Sequence, residues 1–167
     1  MKIIISLLLL LAGFLPHSDY YSEDLTDAQR ARYALFEHFE KNNRVVYPGC
    51  YGGDYLSDDK ETLIINITSD TDYFDFLLSE FDCVELRYVK YSAYELSAFS
   101  DSFREMIERD FPEIDTFNSI PDDGESNCVS IQLTDEILND EDIMNRLMGY
   151  FDGQPVVFEG LIVVTPL

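Results

Sequence analysis

Two histidines, three cysteines and four acidic clusters are the side chains through which this 167-residue chain could do chemistry. His38 lies in Phe36-Glu37-His38-Phe39, on the surface side of an amphipathic run, and His17 falls close to an expected cleavage point. A Ser-His-Asp arrangement needs a base beside the nucleophile and an oxyanion hole, and the sequence carries the signature of neither. The sequence holds no His-Glu-x-x-His and no Cys-x-x-Cys, so neither a zincin nor a thiol metal site is indicated. The acidic clusters are Asp58-Asp59, Asp70/Asp72/Asp75, Asp122-Asp123 and Asn139 to Asp142. A calcium loop requires alternating oxygen ligands, a central glycine and a glutamate at the twelfth position, and none of the four has that pattern. Turn formation and helix capping account for each of them. A glycosidase pair would need two acids facing each other across a cleft with separated pKa values, and no spacing here suggests one. No catalytic residue, metal or cofactor is therefore expected. Cys83 and Cys128 lie in apolar strand patterns and read as buried thiols. Cys50 lies in a Pro-Gly turn and should be more exposed, and an odd number allows one pair at most. Asn66-Ile67-Thr68 fits the glycosylation pattern, but it falls within a strand.

The elements that carry these residues are duplicated. Tyr55-Leu56-Ser57-Asp58-Asp59-Lys60-Glu61 and then Thr62 to Thr68 make an Asp-Asp turn followed by an alternating apolar strand. Ile120-Pro121-Asp122-Asp123-Gly124-Glu125-Ser126-Asn127 and then Cys128 to Thr134 repeat it, so that Leu63, Ile65 and Ile67 match Val129, Ile131 and Leu133. A short amphipathic helix follows each copy: Phe74, Leu77, Leu78 and Phe81 in the first, capped by Ser69 or Asp70. In the second, Ile143, Met144, Leu147, Met148 and Phe151 form the apolar face and Asn139 is the cap. Closing strands run over Cys83 to Val89, with Val84, Leu86 and Tyr88 on one face, and over Val156 to Glu159. Capping boxes at Thr26/Gln29 and Ser92/Glu95 open two further helices, the second with an apolar stripe of Leu96, Phe99, Phe103, Met106 and Ile107. Residues 112–119 read as a loop. The expected fold is α+β: a mainly antiparallel sheet covered by helices, built from two similar halves at about residues 55–89 and 120–160.

Hydrophobic residues make up 46% of the chain and aromatic residues 14%, enough for a packed core. Residues 1–18 read as a secretory signal peptide: Lys2, the apolar run Ile3 to Leu11, then Ala12-Gly13. Residues 19–167 are then expected to form a single domain outside the cytoplasm, with no membrane association after cleavage. The net charge is −22, from 33 acidic and 11 basic residues, which repels nucleic acid and favours a basic protein partner.

The stretch Tyr33 to Gly160 resembles the prodomains of bacterial secreted trypsin-like serine peptidases, the alpha-lytic protease and streptogrisin group. Four motifs carry the resemblance: Asn42-Asn43-Arg44-Val45-Val46-Tyr47-Pro48 with Tyr51-Gly52-Gly53-Asp54-Tyr55, the Asp-Asp turn with its strand, Val89-Lys90-Tyr91-Ser92-Ala93-Tyr94-Glu95-Leu96, and Val156-Val157-Phe158-Glu159-Gly160. In the resembled enzymes a catalytic domain follows. Here neither that domain nor a Gly-Asp-Ser-Gly-Gly motif does, so the resemblance implies a prodomain-like binding module without protease activity. It would be a folding aid or inhibitor of an extracellular peptidase. An acidic interaction protein unrelated to peptidases is the alternative. Because the tail of such prodomains occupies the peptidase groove, the resemblance singles out Leu161, Ile162, Val163, Val164, Thr165, Pro166 and Leu167 as partner-binding residues. Leu161 to Val164 also read as the last strand of the chain's own sheet, which would leave Thr165-Pro166-Leu167 to protrude.

Overall fold

The computed structural model describes residues 25–41, 44–69, 71–122 and 124–161; the expected signal peptide, His17, Asp70, Asp123 and Ile162 to Leu167 lie outside them. Each half of the described chain opens with a helix that satisfies its own first-turn donors. Thr26 caps α1 (Asp27–Phe39): its hydroxyl accepts from the Gln29 amide at 3.3 Å, and the Gln29 side chain accepts from the Thr26 amide at 2.9 Å. Ser92 and Glu95 do the same for α3 (Ala93–Asp110), at 3.3 and 2.8 Å. A two-residue ladder between β1 (Glu40–Lys41) and β2 (Arg44–Val45) follows α1.

After its capped helix, each half builds a hairpin, a helix and a closing strand. In the first, β3 (Tyr51–Leu56) pairs antiparallel with β4 (Leu63–Ile67). A 3-10 turn over Asp72–Phe74 leads into α2 (Asp75–Glu80), and β5 (Val84–Tyr88) returns parallel to β4. In the second, β6 (Phe117–Asp122) pairs antiparallel with β7 (Cys128–Leu133). The helices α4 (Asp135–Leu138) and α5 (Glu141–Tyr150) then carry the chain to β8 (Val156–Gly160), parallel to β7. The result is two three-stranded sheets, β3-β4-β5 and β6-β7-β8. The α+β class and the two similar halves hold. The sheets are mixed rather than mainly antiparallel, because the helix after each hairpin brings the next strand back in the same direction.

The central strands correspond residue for residue. Leu63 faces Val84 and Ile65 faces Leu86; Val129 faces Val156 and Ile131 faces Phe158. Leu63, Ile65, Ile67, Val129, Ile131 and Leu133 are all fully buried, each contributing about 1.5–3 kcal/mol by leaving water. Two separate clusters form around them. Ala31, Leu35, Phe39, Phe74 and Leu77 close over the first, and Leu96, Phe103, Ile107, Leu147 and Phe151 over the second.

Several elements differ from the pattern-based expectation. β3 starts four residues earlier, at Tyr51, through glycines that read as a turn. Gly53 takes a φ of 108° at a bulge, and a Cβ on Gly52 would come within 2.7 Å of Val89 Cγ2 and 3.1 Å of the Tyr91 carbonyl. Phe117 to Ser119, expected as loop, belong to β6. Asn139 ends α4 while Asp140 caps α5, accepting from the amides of Asp142 and Ile143. Thr71, rather than Ser69, precedes the 3-10 turn. On the expected apolar faces Tyr88, at the end of the edge strand β5, is 69% exposed and Met148 52%, with Leu78 exposed as well.

The halves meet where the tip of the β6–β7 hairpin rests on the first sheet. Asn127, at φ 46°, accepts from the Tyr91 amide at 3.0 Å and donates to the carbonyls of Tyr91 at 2.8 Å and Gly52 at 3.4 Å. Asn66 donates from β4 to the Gly124 carbonyl at 2.5 Å, and Arg87 from β5 to that of Glu125 at 3.1 Å. The absence of a side chain at Gly52 lets Val89 and Tyr91 approach closely enough for this joint to form.

Candidate functional site

Among the described candidates, His38, Asp59 and Asp140 are engaged in packing, a turn and a cap. His38 stacks on Phe76 at 4.1 Å between ring centres and meets Tyr73 edge-on at 5.4 Å. Asp59 accepts from the Ser57 hydroxyl at 2.6 Å and the Glu61 amide at 3.0 Å, which closes the first Asp-Asp turn and holds its carboxyl below the ordinary value. No disulfide joins Cys50, Cys83 and Cys128. Cys128 is buried as expected, Cys83 is half-buried at the turn before β5, and burial pushes the Cys83 thiol pKa up. Among the described residues no cluster of three or more His, Cys, Asp or Glu is placed to hold a metal. Asn66 of the glycosylation pattern is fully buried, with Nδ2 bound to Gly124.

One buried polar position recurs in both halves. Asp54 stands opposite Ile65, and Ser119 opposite Ile131, each on the core side of its edge strand. Asp54 is 6% exposed; it accepts from Arg32 Nε on α1 at 2.5 Å and from the Tyr51 hydroxyl. Ser119 exchanges hydrogen bonds with Ser100 on α3: each hydroxyl donates to the other residue's carbonyl, at 2.8 and 2.9 Å, and Arg104 donates to the Ser119 carbonyl at 3.1 Å. Beside Arg32 a small groove of about 210 Å³ runs between α1 and the end of β3, lined by Leu25, Gln29, Tyr33, Phe36 and Leu56.

The larger opening lies in the second half. A cleft of about 550 Å³ separates α5 from β8, lined by Met144, Met148, Phe151, Val156, Val157 and Phe158, with Asp152 at its edge. A second cavity of about 200 Å³, between α3 and the end of α5, adjoins it through Phe151 and Gln154 and adds Phe99, Phe103, Met106 and Tyr150. Two carboxylates outside the lining are held by partners, Asp110 beside Tyr150 and Glu159 on the outer face of β8. Tyr150 donates to Asp110, which also pairs with Arg109 at 2.9 and 2.6 Å, and these partners, the guanidinium first, hold the Asp110 carboxyl at about 2. On β8, Glu159 accepts from Ser130 and from Gln132 at 3.1 Å, which lowers its pKa. Periodicity assigned Met144 and Met148 to the buried face. The signal for a cleft was their chemical type and their i, i+4 spacing, since flexible thioethers suit surfaces that adapt to a guest.

Of the expected partner-binding tail, Leu161 is described: its amide donates to the Leu133 carbonyl at 2.8 Å, continuing the β7–β8 ladder by one residue. Ile162, Val163, Val164, Thr165, Pro166 and Leu167 lie outside the described residues. No helix among the described residues is long and apolar enough to cross a membrane. No protein-family model matches the chain, and no curated protein matches its sequence.

Proposed function

We propose that this chain is a non-catalytic, prodomain-like binding module for an exported protein, acting as a folding aid or inhibitor of an extracellular serine peptidase. The observation that carries the reading is the edge strand β8. It lies at the margin of its sheet and leads through Leu161 into the apolar segment Leu161 to Leu167. An extended apolar segment at a sheet margin can dock by main-chain hydrogen bonds, with alternate side chains filling pockets. The paired halves support this reading, as does the engagement of His38, Asp59 and Asp140 in stacking, turn and cap. The test mixes the chain with secreted trypsin-like peptidases and follows both their activity and their refolding yield. A fall in activity or a rise in yield is expected; no change in either across the set overturns the proposal.

The charge favours a second reading, an acidic extracellular protein that docks a basic partner, with 33 acidic against 11 basic residues. Capture of such a partner would weaken steeply with added salt. Salt-insensitive capture removes the electrostatic basis of this reading.

A further inference from the structure

Of the four methionines, Met1 opens the chain, and Met106, Met144 and Met148 all line the two adjoining clefts of the second half. Around them Met148, Tyr150 and Val157 are exposed, and across the outer face of the same sheet Ile120 is exposed in the row that runs Ile120–Ser130–Val157. Among the described residues the strand flooring the cleft pairs along one edge only. Pro155 accepts from the Val129 amide at 2.7 Å and Leu161 donates to Leu133, so Pro155, Val157, Glu159 and Leu161 bond toward β7. In a parallel ladder the alternate residues turn their main-chain groups the other way. Phe158 and Gly160 therefore offer N–H and C=O on the side where, among the described residues, β8 has no neighbouring strand. The charge is one-sided. Residues 124–161 carry eight acidic side chains and one basic one, Arg146, which is held by Glu113 at 2.5 Å.

We infer that this cleft receives an extended segment of a partner protein, a strand of alternating apolar residues flanked by lysine or arginine, which adds to β8 and places its side chains among Met144, Met148 and Phe151. The inference rests on the reading of the chain as a binding module and does not require the partner to be a peptidase. A strand uses both features of the site, the apolar cleft and the main-chain groups of Phe158 and Gly160. An alkyl chain would fill the cleft but leave those groups to water, and a carboxylate head would face Asp152. A second copy of the chain would bring the same acidic charge to the contact.

The test titrates the full chain with a short synthetic peptide of alternating valine and threonine flanked by lysines, and with the same peptide flanked by glutamates. Readouts are the amide signals of Val156 to Gly160 and the methyl signals of Met144 and Met148. The expected result is saturable shifts at those positions, slowed amide exchange at Phe158 and Gly160, and roughly tenfold weaker binding of the glutamate-flanked peptide. Met148→Glu should weaken the lysine-flanked peptide while leaving the dispersion of the other signals intact. Shifts centred elsewhere, equal binding of both peptides, concentration-dependent shifts without peptide, or saturation by a fatty acid in its place would each overturn the inference. Inhibition of a peptidase with the cleft signals unmoved would sink the inference and spare the proposed function. Peptide binding at the cleft with no effect on any peptidase would do the reverse.

Discussion

Arg32–Asp54 in the first half and Ser100–Ser119 in the second occupy the same place in the same architecture. Ala28, Arg32, Leu35 and Phe39 on α1 have the spacing of Leu96, Ser100, Phe103 and Ile107 on α3, and the partner residue in each case sits opposite the central isoleucine of the sheet. One half fills the position with an ion pair and a tyrosine, the other with two neutral hydroxyls. A recurring backbone thus requires that the polar group beneath the helix be satisfied and leaves open what satisfies it. The helices differ as well. α3 lies chiefly along β6, whereas α1 sits over β4 and α2. The small groove accordingly opens beside β3 in the first half, and the methionine cleft beside β8 in the second.

Replacing the central isoleucines tests the equivalence most severely. Ile65→Ala and Ile131→Ala should each cost about 2–5 kcal/mol in urea unfolding. A much smaller loss for Ile131→Ala would show that the second core relaxes into its cleft. The polar position should separate the halves. Arg32→Met leaves the Asp54 carboxylate buried with Tyr51 alone and should cost about 2 kcal/mol. That is below the range for a fully buried pair, because the Arg32 side chain is already 41% exposed. Ser100→Ala should cost about 1 kcal/mol, because Ser119 keeps its bond to the residue-100 carbonyl. Combining Arg32→Ser with Asp54→Ser would recreate the second half's solution in the first and should recover most of the loss.

Acid supplies the gentlest test. Glu95 in the second capping box is held below its ordinary value of 4.5 by the Ser92 amide and then the Ser92 hydroxyl, while its counterpart Gln29 does not titrate. With the folded pKa depressed, the unfolded chain takes up the proton first. The stabilisation is complete above the ordinary pKa and disappears as pH falls through the folded one. Amide exchange near Ser92 should therefore accelerate, relative to exchange near Thr26, as pH falls below the ordinary carboxyl value of 4.5. Glu95→Gln should remove the difference.

What was legible in the sequence was local. The alternation Leu63-Ile65-Ile67 and Val129-Ile131-Leu133 shows in a period of two, and both capping boxes span four residues, so the halves, their central strands and their opening helices could be read directly. The helix expected after Ile67 and after Leu133 also carries the signal for a parallel return, though alternation within each strand gives none. What depended on distance was hidden. Gly52 and Gly53 look like a turn until Val89 and Tyr91 are seen against them. Arg32 and Asp54 stand 22 positions apart. Met148 fits the helical apolar period as well as Leu147 does, and only the placement of α5 over β8 separates a cleft-lining residue from a core one.

The Asn66–Gly124 contact has a consequence for the timing of any sugar attachment. The nitrogen that an oligosaccharide would be joined to is the one already bonded to the hairpin tip, at a residue with no solvent exposure. A transferase would have to reach Asn66 before the second half folds onto the first. A chain so modified would carry its glycan where Gly124 belongs, barring the two halves from closing.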